Sequence, residues 1–249
     1  MAYENFKSFL NTTITRAGSI AVEYSQKLKQ LDVTRKSPKD LVTQADVAVE
    51  KFIIQQIRTT YPEHSILGEE SGAHKGNQFR WIIDPIDGTT SYIHNQPFYS
   101  VSIALEREGK TIVAAVYAPA LNQLFEAQLN SGAALNGQKI NVSNTTSLSE
   151  AVLSTGFACI RAGLKHNNLP YFNNLVPKLR GIRRFGSAAV DLCYVAAGKI
   201  DGYWELNLNI YDIAAGMLIV KEAGGQNSDF ESNPVSDCKE ILSTNSKIH

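Results

Sequence analysis

The chain has 249 residues, enough for a large core in one domain or in two closely packed halves. Its 24 Lys and Arg balance 24 Asp and Glu, so the formal net charge of zero offers no bulk attraction to nucleic acid or to an anionic membrane. The N-terminal MAYENFKSFL lacks a signal-peptide pattern, no apolar run reaches membrane-span length, and Cys159, Cys193 and Cys238 are too scattered for a disulfide framework or a zinc site; the chain reads as a cytoplasmic protein with reduced cysteines.

From Ile14, apolar or small residues at Ala17, Ala21, Tyr24, Leu28 and Leu31 recur in steps of three and four, which predicts a long amphipathic first helix. The segment KSPKDLVTQAD reads as a loop or short hairpin. A second helix is expected from about Asp46, with Val49, Phe52, Ile53 and Ile57 on one face. Asp46 would then stand at its start, where unpaired N–H groups favour an acid. YPEHSILGEES ends that helix and leads a short strand into Gly68-Glu69-Glu70. FRWIID is a strand, and FYSVSIALE alternates with Tyr99, Val101, Ile103 and Leu105 on one face. KTIVAAVYAP and NQLFEAQ continue a meander, and LNGQKI supplies an Asn-Gly turn. Residues 1–145 therefore read as an α+β half: two helices and an antiparallel sheet.

In residues 146–249 strands alternate with helices, which predicts an α/β half with a mixed sheet. AVLSTGF and DGYWEL are strands. PYFNNLVPKL is a short helix interrupted by Pro177, AAVDLCYVAAG a helix ended by Gly198, and YDIAAGMLIVKEAGG a helix closed by Gly224-Gly225. The boundary segment VSNTTSLSE is polar but short, so the halves are expected to form one compact unit.

WIIDPIDGTTSY, residues 81–92, concentrates the chemistry. An apolar strand stops at Asp84, Pro85 disfavours helix at the residue before it, and Asp87 precedes Gly88, where the chain can take a positive φ. Such a turn can aim both carboxylates and the Ile86 carbonyl into one small space. Apposed carboxylates repel one another and tend to keep a proton, whereas a hard divalent cation such as Mg²⁺ suits carboxylates, carbonyls and water. The following Gly-Thr-Thr offers N–H groups and hydroxyls at a helix start, a place suited to phosphate. Metal beside phosphate points to metal-assisted phosphoryl transfer. The Asp-x-x-Asp-Gly-Thr spacing is one residue longer than the Asp-x-Asp-Gly-Thr of haloacid-dehalogenase-type phosphatases, and an EF-hand needs alternating acids.

WIIDPIDGTTSY resembles the metal-binding motif of the inositol monophosphatase family, and YDIAAGMLIVKEAGG resembles that family's second motif. SPKDLVTQAD, GEES and GIRRFGSAAVDLCYVAAGKIDGYWE match it in order and spacing, so the resemblance covers nearly the whole chain from residue 10 onward. It implies a layered αβαβα phosphatase sandwich, a homodimer, two to three Mg²⁺ ions per site and inhibition by Li⁺. By motif position it implies Glu69, Asp84 and the Ile86 carbonyl as ligands of a first metal, and Asp84, Asp87 and Asp212 as ligands of a second. Glu69 would also help hold a third ion. Thr89 and Asp46 would orient and deprotonate the attacking water. Gly88 and Thr89 would meet phosphate, and Gly186, Ala188, Glu205, Asp87 and Asp212 would face the substrate. Tyr211 stands where the family usually has Trp, and Ser91-Tyr92 where it usually has Asn-Phe.

The implied reaction is hydrolysis of a small phosphorylated polyol, myo-inositol monophosphate first. Fructose 1,6-bisphosphate, histidinol phosphate, NADP and 3′-phosphoadenosine nucleotides are the same-fold alternatives. A regulatory protein touching RNA or transcription machinery is the reading from another class, and the charge balance does not favour nucleic acid. Glu70 reads as a solvated or supporting acid, and Lys36 and Asp40 as loop charges or supports of the site. His64, His74, His94, His166 and His249 show no ligand spacing. Arg183 and Arg184 bind either a substrate anion or a second subunit, or form ordinary ion pairs.

Overall fold

The computed structural model describes residues 3–30, 38–235 and 239–249. Helix α1 (Glu4–Gln30) and helix α2 (Pro38–Thr60) come first, then strands β1 (Ser65–Gly68), β2 (Gly72–His74) and β3 (Phe79–Asp87). The short helix α3 (Thr89–Ile93) follows, then β4 (Ser100–Arg107), β5 (Lys110–Ala118), β6 (Gln123–Gln128), β7 (Ala133–Leu135) and β8 (Gln138–Ile140). The second half runs β9 (Val152–Thr155), α4 (Ala158–Arg161), α5 (Leu169–Leu175), β10 (Gly181–Arg183), α6 (Ala188–Ala196), β11 (Gly202–Leu206), α7 (Ile210–Glu222), β12 (Gln226–Ser228) and β13 (Glu240–Thr244). Among the described residues no helix is long and apolar enough to cross a membrane.

Strand periodicity sets the layers. On β3, Trp81 and Ile83 pack against Ile14 of α1 and Val49, Ile53 and Ile57 of α2. Ile82, on the opposite face, packs in a second core with Val190 and Leu192 of α6 and Ile213 and Ile219 of α7. Tyr203 of β11 and Ile241 of β13 close that core from the far side. Beyond the second sheet, Leu153 and Trp204 meet Phe172 and Leu175 of α5. The order is helix, sheet, helix, sheet, helix, as the family resemblance implies.

The first sheet has eight strands in the order β2-β1-β3-β4-β5-β6-β7-β8. It is antiparallel except between β1 and β3, whose parallel pairing makes it mixed. β2 folds back on the outer edge of β1, and the chain returns to lay β3 on the inner edge. That pairing puts Gly68 opposite Ile83 and so brings the residue after β1 beside Asp84. The second sheet is mixed, in the order β10-β9-β11-β13-β12. Asn136-Gly137 forms the expected hairpin turn, both residues having positive φ.

Three expectations are corrected: the first sheet is mixed and not wholly antiparallel, because the outward fold of β2 lets β3 return parallel to β1, and the other two concern α2. Pro38 opens α2, so the described part of KSPKDLVTQAD is helical and not a loop; proline is well suited to a first helical turn, where its missing N–H has no partner to lose. Asp46 consequently lies two turns inside α2 and does not start it. Leu31, Lys36 and Cys238 lie outside the described residues, as does the side chain of Asp40. Cys159 and Cys193 are buried free thiols. His64 accepts a hydrogen bond from Trp81 Nε1 at 3.0 Å inside an aromatic cluster, a structural use.

Helices α6 and α7 approach closely because α7 has glycine at 216. A Cβ there would lie 2.5 Å from Leu192 Cδ1 and 2.7 Å from its Cβ. Gly216→Ala gains helix propensity of about 1 kcal/mol, but overpacking of this kind costs about 1–3 kcal/mol. We expect a lower urea midpoint for the variant; an equal or higher midpoint would show that α6 and α7 can separate freely.

Candidate active site

Three elements meet at one cavity. β3 runs into it, α3 starts at it, and α7 points its first turn toward it. On a regular strand Asp84 and Asp87, three residues apart, would face opposite sides of the sheet. Here Asp84 pairs with Ser102 and Asp87 with Ser100, so three steps on β3 oppose two on β4. This bulge adds one residue and turns both carboxylates toward α7. Pro85 sits within it, where the absence of an N–H costs no ladder bond. Gly88 follows at φ 90°, and a Cβ there would lie 2.7 Å from the Phe98 carbonyl.

Asp212 comes from the third position of α7. Asn209 N–H donates to Asp212 Oδ2 at 2.6 Å in a reciprocal capping box, which fixes the carboxylate at the helix start. Carboxylate oxygens of Asp84, Asp87 and Asp212 lie within 4.8 Å of one another. Asp87 Oδ2 accepts from Ser187 Oγ at 2.5 Å and from Ala189 N–H at 2.7 Å, which ties β3 to the start of α6. Asp84 is 1% exposed, and its Oδ1 has no hydrogen-bond partner. A buried carboxylate oxygen without a partner, beside two other carboxylates, is a costly arrangement that a hard divalent cation relieves. The donor set fits such an ion.

Glu69 follows β1, and its N–H donates to the Ile83 carbonyl at 3.2 Å. Its carboxyl lies beside that of Asp84, whose own carboxyl it helps to raise. The Ile86 carbonyl accepts from Thr89 Oγ1 at 3.3 Å. Asp46 is buried, its Oδ1 lacks a partner, and Thr89 makes its hydrogen bond to Ile86 and not to Asp46. Asp46 is not part of the cavity wall, whereas Glu69, Asp84, Ile86, Asp87, Gly88, Thr89, Gly186, Ala188, Glu205 and Asp212 all line it.

The cavity holds about 210 Å³. Glu205, which also lines the cavity, is fixed through both oxygens: Tyr203 OH donates at 2.6 Å and Ala158 N–H at 3.0 Å. Gly156 makes room for it, since a Cβ there would overlap the carboxylate. Arg184 lines the cavity, while Arg183 lies outside it and donates to its own neighbour's carbonyl at Ile182. His94 is exposed at the end of α3 and does not line the cavity.

Sequence reasoning missed several lining residues: Gly156, Ala158, Arg161, Asp191 and Asn207–Asn209. Asp191 is 2% exposed, and its Oδ1 has no hydrogen-bond partner. The signal was the acid four residues after Ser187, the residue that caps α6 by accepting from Val190 N–H.

Burial is the main cause of a shared upward shift in these acids, and their mutual repulsion adds to it. Asp87 is pushed up to about 7, with Asp212 the leading charge against it, and Asp212 up to about 6. Glu69 is raised to about 7 and Asp46 to about 8, the latter against Glu69, Glu70 and Glu50. Asp84 and Asp191 rise well above the usual carboxylate range.

The inositol monophosphatase family model matches residues 2–249. A protein of Synechocystis named inositol-1-monophosphatase is 46% identical over 213 residues, covering 84% of this chain and 74% of its own. A protein of Pasteurella multocida named Nus factor SuhB is 45% identical over 217 residues, covering 86% of this chain and 81% of its own. The solved structure of an inositol monophosphatase from Anabaena superposes with a TM-score of 0.90 at 37% identity, covering 99% of this chain and 93% of that one.

The raised carboxyls give the metal-free protein a defined pH response. Below about pH 4 the folded and unfolded chains hold these protons equally. As pH rises toward 6–8, the unfolded chain releases protons that Asp212, Asp87, Glu69 and Asp46 retain when folded, so folding stability falls across that window. We expect the Tm in excess EDTA to drop by about 5 °C or more between pH 5 and pH 8. A Tm that is flat or rising over that range would show that the folded site does not hold these protons.

Proposed function

The chain belongs to the inositol monophosphatase family, and from that premise we propose that it is a Mg²⁺-dependent phosphomonoesterase whose first substrate is myo-inositol monophosphate. The observation that carries the reading is the trio Asp84, Asp87 and Asp212, with oxygens within 4.8 Å of one another beside the first turn of α3.

Asp84, Asp87 and Asp212 would hold one ion, and Glu69, Asp84 and the Ile86 carbonyl another. Bound there, Mg²⁺ would supply Lewis acidity, neutralise the phosphoryl charge and lower the pKa of water. The chain's own residues do the rest. The N–H groups in the first turn of α3, at Gly88 and Thr89, have no helical carbonyl to bond and suit a phosphate oxygen. The Thr89 hydroxyl, beside the Ile86 carbonyl, is placed to orient a water. Asp46 lies outside the cavity wall and does not bond Thr89, so the proton-accepting role that the resemblance gives it has no contact behind it here. Glu205, Ala188 and Gly186 form the wall facing the alcohol, where the fixed Glu205 carboxylate is suited to accept from ring hydroxyls.

Size favours a small alcohol. Ligand pockets commonly run about 300–1,000 Å³, and a cavity of about 210 Å³ suits a cyclitol or sugar phosphate better than a dinucleotide. A second reading, a regulatory binding protein, draws on the relative named Nus factor SuhB. The even charge balance supplies no electrostatic footprint for nucleic acid. An RNA gel shift at physiological salt, run beside phosphate release, separates the two readings.

Two outcomes are expected. Across inositol phosphates, fructose 1,6-bisphosphate, histidinol phosphate and 3′-phosphoadenosine nucleotides, phosphate release should be fastest from inositol 1-phosphate and should vanish without Mg²⁺. Asp87→Asn should lower kcat by about 100-fold or more at saturating Mg²⁺ while circular dichroism stays unchanged. Near-normal turnover in that variant would remove Asp87 from the site.

A further inference from the structure

We propose that Glu50 of α2 is a positioning residue that holds the turn carrying Glu69, and through it sets the strength of metal binding. This rests on the metal reading above; the holding of the turn is tested separately.

Glu50 is only 2% exposed, on the helix whose Val49, Ile53 and Ile57 pack into the core. A glutamate so placed costs stability unless its oxygens are satisfied. Both are. Oε2 accepts from Glu70 N–H at 3.1 Å and Oε1 from Ser71 N–H at 2.8 Å. These two amides belong to the three-residue turn between β1 and β2, in which Gly68 pairs with Gly72. The side chains of Glu70 and Ser71 are exposed and that of Glu69 turns to the cavity, so none of the three packs into a core to hold the turn. Among the described residues, Glu50 is the one side chain that hydrogen-bonds its backbone.

Gly68 supports the same reading. A Cβ built there would overlap the Glu50 carboxylate. Glycine at 68 lets the carboxylate reach the two amides, and the next residue is Glu69, which lines the cavity with Asp84. The order Gly68-Glu69-Glu70-Ser71 thus divides into a gap for Glu50, a carboxyl for the cavity and two N–H donors for the clamp. A carboxylate clamp of this kind fixes the reach of Glu69 to well within the tolerance that a metal ligand needs, and loss of such support commonly costs about 10–100-fold in metal affinity.

The test uses the full chain and four variants: Glu50→Ala, Glu50→Gln, Gly68→Ala and the double Gly68→Ala/Glu50→Ala. Amide hydrogen exchange reads the turn, calorimetric titration with Mg²⁺ reads affinity, and kcat is measured at saturating Mg²⁺. Glu50→Ala should speed exchange at Glu70 and Ser71 by about 10-fold or more and weaken Mg²⁺ binding by about 10-fold, with kcat at saturation within about threefold. Glu50→Gln, which keeps one acceptor, should fall between. Gly68→Ala should reproduce the defect by displacing the carboxylate, and the double variant should be little worse than Glu50→Ala alone, since the new methyl fills vacated space. Unchanged exchange at Glu70 and Ser71 in Glu50→Ala, or strictly additive effects of the two substitutions, would overturn the clamp. Faster exchange with unchanged Mg²⁺ affinity would overturn its role at the metal. A wild-type chain that takes up no Mg²⁺ would overturn the metal reading and the role at the metal with it, leaving the exchange and additivity results to decide the clamp.

Discussion

Repulsion among Asp84, Asp87 and Asp212 is the constraint around which the first half of the molecule is built. Three carboxylates within 4.8 Å of one another, two of them buried, cannot all ionise in an apolar surround without a counter-charge. The fold nevertheless brings them together from two distant stretches of chain. A β-bulge turns Asp84 and Asp87 to one face, and a capping box pins Asp212 at the start of α7. Each device costs something locally: an interrupted ladder, a positive φ at Gly88, a raised carboxyl. The large core between the first sheet and helices α6 and α7 offsets these costs, because it locks β3 and α7 against each other through Ile82, Ile213 and Ile219.

Carboxylates serve two purposes in this chain, and hydrogen bonding tells them apart. Glu50 is saturated by two backbone N–H groups. Glu222 accepts from the amides of Asn130, Ser131 and Gly132, so the acid of the EAGG sequence holds the β6–β7 turn and does no chemistry. Asp201 accepts from Val152 N–H at 2.7 Å and Ser143 Oγ at 2.5 Å, joining the start of β11 to that of β9. Such groups are fasteners, and their charge is met by aligned donors. Asp84 and Asp46 each keep a buried oxygen with no partner. A protein that satisfies its structural acids so thoroughly leaves these open at a stability cost, and a cost retained at one place is where binding chemistry is expected.

The helices and strands of each layer were legible from periodicity, while their stacking order came from the family resemblance. Alternation on FRWIID and the three-four spacing in α1 and α2 put Trp81, Ile83, Ile53 and Ile57 in one core. The principal acids were legible too, since Pro85 and Gly88 are rare tolerances in a strand end and mark a bend. What escaped was long-range. The parallel pairing of β1 with β3 depends on β2 folding outward, which no local pattern encodes. The start of α2 was misread because Pro38 serves equally as a loop breaker and as a first helical residue, and only tertiary packing decides. Glu50 was hidden for a related reason: on a helix face its spacing is that of any solvated acid, and only the turn folded beneath it reveals its partners.

The two ends of the cavity are encoded differently, and that difference explains why the reaction is easier to read than the substrate. The phosphate end comes from one continuous stretch, Asp84 through Thr89, with Asp212 set by the adjoining helix, so its geometry is fixed by local rules of strand, bulge and helix start. Under the proposed function the alcohol end is assembled from Gly156 and Ala158 after β9, Arg184 and Gly186 before α6, Glu205 near the end of β11 and Asn207 after it. Under the proposed function, bond cleavage would be a property of the frame, and choice of alcohol a property of segments far apart in the sequence.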